Sequence, residues 1–141
     1  AIDYLDDLSD LQNEGAWLEK EQSIGPRKGH WDSLKIGIAG PPLLVDQGWL
    51  LLYHGVSEID FHYRVGFMLL DRDDPGNVLY RSPYPILRPT EEFERIGDVN
   101  NVVFPCGAVI VNGTLFVYYG GADKVVCVAT AQLKELLAQI R

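Results

Sequence analysis

The sequence predicts an all-β fold made of repeated antiparallel meanders, arranged as blades about an axis, with one short helix at its C-terminal end. Three observations carry this. Strand-like runs recur at roughly ten-residue intervals with turn signals between them. Two of the runs echo each other, 65 positions apart: Gly48-Trp49-Leu50-Leu51-Leu52-Tyr53-His54-Gly55 and Gly113-Thr114-Leu115-Phe116-Val117-Tyr118-Tyr119-Gly120. An internal repeat of this kind marks a blade, whereas a sandwich, the alternative architecture, leaves the echo unexplained. Finally, Leu133, Leu136, Leu137 and Ile140 fall at helical spacing.

The elements follow in order. Ala1 to Glu21 is acidic, and Leu5, Leu8 and Leu11 suit either a short helix or, through Ser9-Asp10-Leu11, a turn between strands. Gly25-Pro26-Arg27-Lys28-Gly29 is a loop rich in breakers. Pro41-Pro42 precedes a first strand, Leu43-Leu44-Val45, and Asp46-Gln47-Gly48 makes a tight turn. Trp49 to His54 is a continuous apolar and aromatic run, fitting a buried strand. Tyr63 to Leu70 is the third run, Asp73-Asp74-Pro75-Gly76-Asn77 is a dense turn signal, and Val78 to Arg81 is a short fourth strand ended by Pro83 and Pro85. A second set begins with Val102 to Val111. Asn112-Gly113 then calls for a type I′ hairpin, because both central residues of that turn need φ > 0. Leu115 to Tyr119 and Lys124 to Ala129 complete the set, and Thr130 is placed to cap a helix running to Ile140. Residues 41–82 thus supply four strands and residues 102–130 three. The chain divides into an acidic N-terminal segment, 1–30, read as the end of a preceding blade, and 31–141, the blades with their terminal helix.

Composition narrows the function. With 47% apolar and 23% charged residues, the 141-residue chain is globular. Its net charge of −8 and the absence of any Lys/Arg cluster argue against nucleic acid or an anionic membrane as a partner. No apolar run approaches the length of a membrane span, and no basic start followed by an apolar core marks a signal peptide; cytoplasm is the expected location. Cys106 and Cys127 lie inside apolar strand-like runs, where a free thiol behaves as a small hydrophobe. His30, His54 and His62 lack the spacing of a zinc site, and Asp71-Arg72-Asp73-Asp74-Pro75-Gly76, although it begins like a calcium loop, lacks the later ligands and reads as a hairpin turn. No metal is expected. No Gly-rich phosphate loop, nucleophile elbow or Cys–His pairing is present.

Several segments, in order, resemble the signature of glycoside hydrolase family 130. They are Lys35-Ile36-Gly37-Ile38-Ala39-Gly40-Pro41-Pro42, Gly48 to Val56, Tyr63-Arg64-Val65-Gly66, Leu69-Leu70-Asp71, Asn101 to Gly107, and Tyr118-Tyr119-Gly120-Gly121-Ala122-Asp123. The resemblance covers residues 31–141. It implies a five-bladed β-propeller with an active site on the axis, of which this chain holds about two blades. It also implies action on β-mannosides, in most members by inverting phosphorolysis. Phosphate then attacks the anomeric carbon from the face opposite the aglycone, α-mannose 1-phosphate is released, and no cofactor is needed. A minority of members hydrolyse instead.

The same resemblance assigns residues. Lys35 and His54 match the family's phosphate-contacting Lys and His, and Tyr63 stands where its hydroxyl could reach the same anion; fixed positive charge and donors are what an anionic nucleophile requires. Each also has a plain structural reading: a solvated lysine, a hydrogen-bonded histidine at a strand end, a packed tyrosine. Asp123 follows Gly120-Gly121-Ala122, small residues that let a ligand approach, and matches the acidic residue that holds sugar hydroxyls; a turn aspartate is the plain alternative. Phe104 and Tyr119 either line the site or pack in the core. The family's general-acid Asp and part of an arginine clamp lie in an N-terminal half with no counterpart here, so activity of this chain by itself is left open. The expected partners are a β-mannoside or manno-oligosaccharide and phosphate. A homo-oligomer, or the missing N-terminal half, is expected to cover the open sheet edges. The reading from a different class is a non-catalytic sugar-binding or assembly module.

Overall fold

A computed structural model describes Ser9 and residues 24–140; apart from Ser9, the reading of Ala1 to Glu21 as helix or turn lies outside the described residues. Two antiparallel sheets are present. In the first, β1 (Lys35–Ile38) and β2 (Leu43–Val45) lie end to end along β3 (Gly48–Val56), which pairs in turn with β4 (Tyr63–Leu70), and β4 with β5 (Val78–Arg81). The second is a meander of β6 (Val103–Val111), β7 (Thr114–Gly121) and β8 (Val125–Gln132). A one-turn helix, α1 (Glu92–Arg95), precedes the second sheet and α2 (Leu133–Leu137) follows it.

The two strand sets are those read from the sequence, with an addition at the front. β1 was not anticipated. Lys35 to Ile38 pairs with Val56 to Tyr53, and the Ala39 amide still donates to the Leu52 carbonyl at 3.0 Å. Gly40, at φ +147°, and Pro41-Pro42 then break the ladder before β2 resumes it at Leu43. Prolines lack the amide a ladder needs, so one strand is read as two. The Asp46-Gln47-Gly48 turn places Gly48 at φ +143°, where an added Cβ would come within 2.2 Å of the Leu70 carbonyl oxygen. Only glycine fits there. Asp71 spends its carboxylate on the amides of Asp73 and Asp74, at 2.8 and 3.0 Å, as a hairpin turn does.

In the second sheet Asn112 and Gly113 both have positive φ, +51° and +76°, the expected I′ turn. The C-terminal helix is shorter than predicted. It begins at Leu133, because β8 continues through Thr130, paired with Phe116, to Gln132, paired with Thr114. Thr130 is therefore a strand residue and not a cap: the β-branched run Val125, Val126, Val128 and Thr130 favours the ladder over an early helix. The apolar period beyond it is as expected. Leu136 is buried, and Leu133, Leu137 and Ile140 pack on the core.

That core lies between the sheets. Leu50 and Leu52 of β3 and Phe67 and Leu69 of β4 share one face and meet Leu115, Val117 and Leu136. The opposite face carries Leu51, Tyr53, Met68 and Leu70, covered by Ile24, Trp31, Ile36 and Trp49. Because β3 and β4 are buried on both faces, their sequences are continuously apolar instead of alternating. Each such side chain contributes about 1.5–3 kcal/mol when fully buried. Trp31 can lie flat on this second face only because Gly55 and Gly66 beneath it have no side chain; a Cβ at either would come within 2.6 Å of the indole.

Polar anchors join the segments. Asp32 is fully buried and accepts hydrogen bonds from Arg27 Nη2 at 2.9 Å, Arg81 Nη2 at 2.6 Å and the Tyr53 hydroxyl at 2.9 Å. Arg27 thereby ties the Gly25–Gly29 loop to this buried carboxylate. Burial alone would raise the Asp32 pKa, but the Arg27 hydrogen bonds, the Tyr53 hydroxyl and the two cations together hold it below the usual range. Burial pushes Tyr53 up to about 12, so its hydroxyl keeps the proton it donates. Glu94, also buried, accepts from the amides of Thr90 and Glu91, closing the capping box of α1, and from the Tyr119 hydroxyl at 2.7 Å. Among the described residues no helix is long and apolar enough to cross a membrane, and the two sheets do not close into a ring.

Candidate functional site

The inter-sheet face does not stay apolar to its end. Along β3, Leu50 and Leu52 are followed on the same face by His54 and Val56; along β4, Phe67 and Val65 lead back to Tyr63. Register then decides the neighbours. Lys35 pairs with Val56, which pairs with Tyr63, so lysine and tyrosine flank one β3 residue. The Lys35 Nζ stands 4.7 Å from the centre of the Tyr63 ring. His54 lies opposite Gly37 of β1, whose missing side chain makes room for the imidazole: a Cβ there would be 2.4 Å from His54 Cε1. Phe104 of β6 closes the group from the other sheet, its ring 4.6 Å from His54 and 6.1 Å from Tyr63.

Four strands thus deliver a cation, an imidazole, a phenol and an aromatic wall to one place. His54 Nδ1 is buried and has no hydrogen-bond partner among the described residues. Leaving such a group unsatisfied costs about 1–3 kcal/mol. Burial, and then the charge of Lys35, lower the His54 pKa, so the imidazole is neutral at pH 7. A chain of net charge −8 therefore holds a local cation beside an unspent ring nitrogen and a hydroxyl. This is a combination suited to a small anion.

A family model described as beta-1,4-mannooligosaccharide phosphorylase matches residues 12–141. The chain belongs to glycoside hydrolase family 130. Two curated relatives come from Thermoanaerobacter sp. (strain X514). A 1,2-beta-oligomannan phosphorylase is 40% identical over 90% of this chain and 42% of its own length, and a beta-1,2-mannobiose phosphorylase is 48% identical over 80% of this chain and 37% of its own length. Among solved structures, the beta-1,2-mannobiose phosphorylase from Listeria innocua, in complex with beta-1,2-mannobiose, superposes with a TM-score of 0.79 at 40% identity, covering 83% of this chain and 33% of that one. The chain spans about two fifths or less of the length of these family 130 relatives.

Within this family 130 chain, three of the four residues predicted for the site, Lys35, His54 and Tyr63, come together, with Phe104 beside them. Asp123 makes no hydrogen bond or ion pair with them. It sits with Ala122 at the centre of the β7–β8 turn, both at positive φ (+54° and +47°), closed by the Lys124 amide on the Gly121 carbonyl at 3.0 Å. The turn is tied to the site through Val102 and through the β6–β7 ladder, in which Phe104 pairs with Gly120. The Ala122 amide donates to the Val102 carbonyl, and Val102 bridges to Tyr63. Asp123 is exposed and makes no hydrogen bond or ion pair with another described residue. Tyr119 is a core residue: it is buried, its hydroxyl is given to Glu94, and burial followed by that carboxylate raises its pKa.

Two contributors escaped the reading of the sequence. Gly37 carried a usable signal, since a glycine inside a strand often marks close approach. The clamp on the loop before Tyr63 carried none. There Arg64 pairs with Asp60, whose Oδ1 also accepts the His62 amide at 3.1 Å, and Phe61 is held at φ +59° with its amide on the Ser57 carbonyl.

Proposed function

We propose that this chain carries the phosphate-binding part of an inverting β-mannoside phosphorylase built as a five-bladed propeller, with Lys35, His54 and Tyr63 as the phosphate contacts and Asp123 as a holder of sugar hydroxyls. The observation that supports this most is the buried Nδ1 of His54, without a hydrogen-bond partner among the described residues, beside the Lys35 charge. In the reaction a phosphate oxygen forms a bond to the anomeric carbon as the bond to the aglycone oxygen breaks on the opposite face. A carboxylic acid outside the described residues supplies the proton that the leaving oxygen takes, relayed through a sugar hydroxyl. The products are α-mannose 1-phosphate and the released sugar, and no metal or organic cofactor takes part. The chain's contribution is to place the nucleophile and offset its charge.

A phosphate titration tests the reading. The polypeptide that contains this chain should cleave a β-1,2- or β-1,4-mannobiose only with phosphate present, releasing mannose 1-phosphate. Cleavage at an unchanged rate without phosphate assigns the protein to hydrolysis. Absence of both phosphate binding and cleavage assigns it to a sugar-binding or assembly role.

A further inference from the structure

We propose that Glu94, through its bond to the Tyr119 hydroxyl, is a positioning residue that sets the distance between Tyr63 and Asp123, the phosphate and sugar contacts of the proposed reaction. Both contacts are carried by one segment, Asn101-Val102. The Tyr63 amide donates to the Asn101 carbonyl at 3.1 Å, and Val102 bridges to Tyr63. The Val102 carbonyl accepts the Ala122 amide at 2.9 Å, and Asp123 is the next residue. That segment is in turn held by α1: the Val102 amide donates to the Glu94 carbonyl at 3.0 Å, and the Asn101 amide to the Arg95 carbonyl at 3.3 Å. The Glu94 side chain then ties α1 to β7, where the Tyr119 hydroxyl donates to it at 2.7 Å. Asn101, Ala122 and Asp123 all have positive φ, +61°, +47° and +54°. Non-glycine residues keep such conformations only where the surroundings over-determine them. The packing here is close enough to do so: a Cβ at Gly97 would come within 2.3 Å of the Ala122 carbonyl oxygen, and one at Gly121 within 3.0 Å of the Phe93 carbonyl oxygen.

The carboxylate itself points to geometry more than to stability. Glu94 is 2% exposed, and among the described residues no cation pairs with it. Burial works to raise its pKa, but the Glu91 and Thr90 amides and the Tyr119 hydroxyl hold it below the ordinary value. A buried charge without a counter-ion is a poor source of stability. Short bonds to a charged acceptor are strong and directional, and fix the groups that make them. Both Glu94 oxygens are engaged, Oε2 by the two amides and Oε1 by Tyr119. Glu94 therefore acts through the segment it holds and not on a ligand. An in-line displacement needs the phosphate oxygen and the anomeric carbon at a set distance, and a misplacement of about 1 Å can cost a hundredfold in rate. The role presupposes that Tyr63 and Asp123 touch phosphate and sugar, the function proposed above.

Steady-state kinetics on the whole polypeptide that contains this chain, with phosphate and a β-mannobiose each varied, test the role. Tyr119→Phe removes one hydroxyl and should lower kcat about tenfold to a hundredfold, while the KM values for phosphate and mannobiose change little, because each ligand keeps its own contacts. Glu94→Gln, which sets an amide nitrogen opposite the same hydroxyl, should show the same split, and the double variant should lose no more than the worse single one. Tyr53→Phe controls for lost stability. It removes another buried hydroxyl, the one on Asp32, and should lower the melting temperature as Tyr119→Phe does without changing kcat. An unchanged kcat in both Tyr119→Phe and Glu94→Gln, a loss confined to KM, or an equal loss of kcat in Tyr53→Phe overturns the role. Tyr63→Phe and Asp123→Asn separate this from failure of the site. If neither alters kcat or KM, the site reading fails and the role falls with it; if they impair turnover and Tyr119→Phe does not, the role alone falls.

Discussion

Lys35 and Tyr63 meet across β3: they pair with opposite edges of Val56, and the ammonium stands 4.7 Å over the phenol ring. The contact fixes a flexible side chain at the end of the inter-sheet face without neutralising it, since a ring face attracts a cation but removes no charge. Lys35→Ala should therefore weaken binding of inorganic phosphate by about tenfold to a hundredfold, the worth of one charged hydrogen bond. Lys35 is exposed, so melting should change little. Titration calorimetry on both proteins checks this, and an unchanged affinity removes Lys35 from the site.

His54 predicts a proton balance. Burial and the Lys35 charge lower its pKa, so between that value and about 6.5 the unfolded chain binds more protons than the folded one. In that window the unliganded fold loses stability as pH falls, and His54→Gln should flatten the loss. An anion at Nδ1 reverses the preference and favours imidazolium. Phosphate binding to the wild type near neutral pH should then take up more protons than binding to His54→Gln. Calorimetry in buffers of different ionisation heat measures the difference; equal proton uptake in the two proteins rules the coupling out.

Asp32 predicts the acid limit of the fold. Its pKa is held below the ordinary value by Arg27, Tyr53 and Arg81 against burial. Its contribution is thus present above about pH 4, the unfolded value, and is lost as pH falls through the depressed folded value. Asp32→Asn leaves two guanidinium groups partly buried without their counter-ion and should cost about 3–5 kcal/mol at neutral pH. Urea denaturation at pH 7 and pH 3 should show the variant far less stable at the first and closer to the wild type at the second. An equal deficit at both would mean that the carboxylate charge is not what the cluster uses.

The legible and illegible parts of this molecule differ in range. The Asn112-Gly113 turn, the strand runs and the apolar face of α2 follow from interactions within a few residues, and local pattern is enough to read them. Thr130 was misread because its choice between cap and strand depends on Phe116 across the ladder. The grouping of Lys35, His54 and Tyr63 was expected from resemblance alone. What brings them together is register across three strands, which no local pattern records. Asp123 shows the converse: its turn is plain in Gly120-Gly121, but its place relative to the other three depends on Val102. Tyr119 was ambiguous because its partner, Glu94, lies on a one-turn helix too short to leave a period.

Gly37 offers the sharpest separation of position from stability. A methyl group there would come within 2.4 Å of His54 Cε1 and 2.9 Å of Nε2, and the imidazole is flanked by Phe104 and Tyr63. The atoms in the way belong to a side chain, and Gly37 is not at positive φ, so the strand itself can accept alanine. Gly37→Ala should then leave the melting temperature nearly unchanged, since alanine lowers the entropy of the unfolded chain while the ring shifts. Phosphate affinity should nevertheless fall about as far as in His54→Ala. The double variant decides whether the loss runs through the histidine: with His54 already replaced, adding Gly37→Ala should have no further effect on affinity, because residues acting through one contact are not additive. Full additivity would mean that Gly37 affects the site by some other route, and that the close packing of His54 on β1 does not position it for the anion.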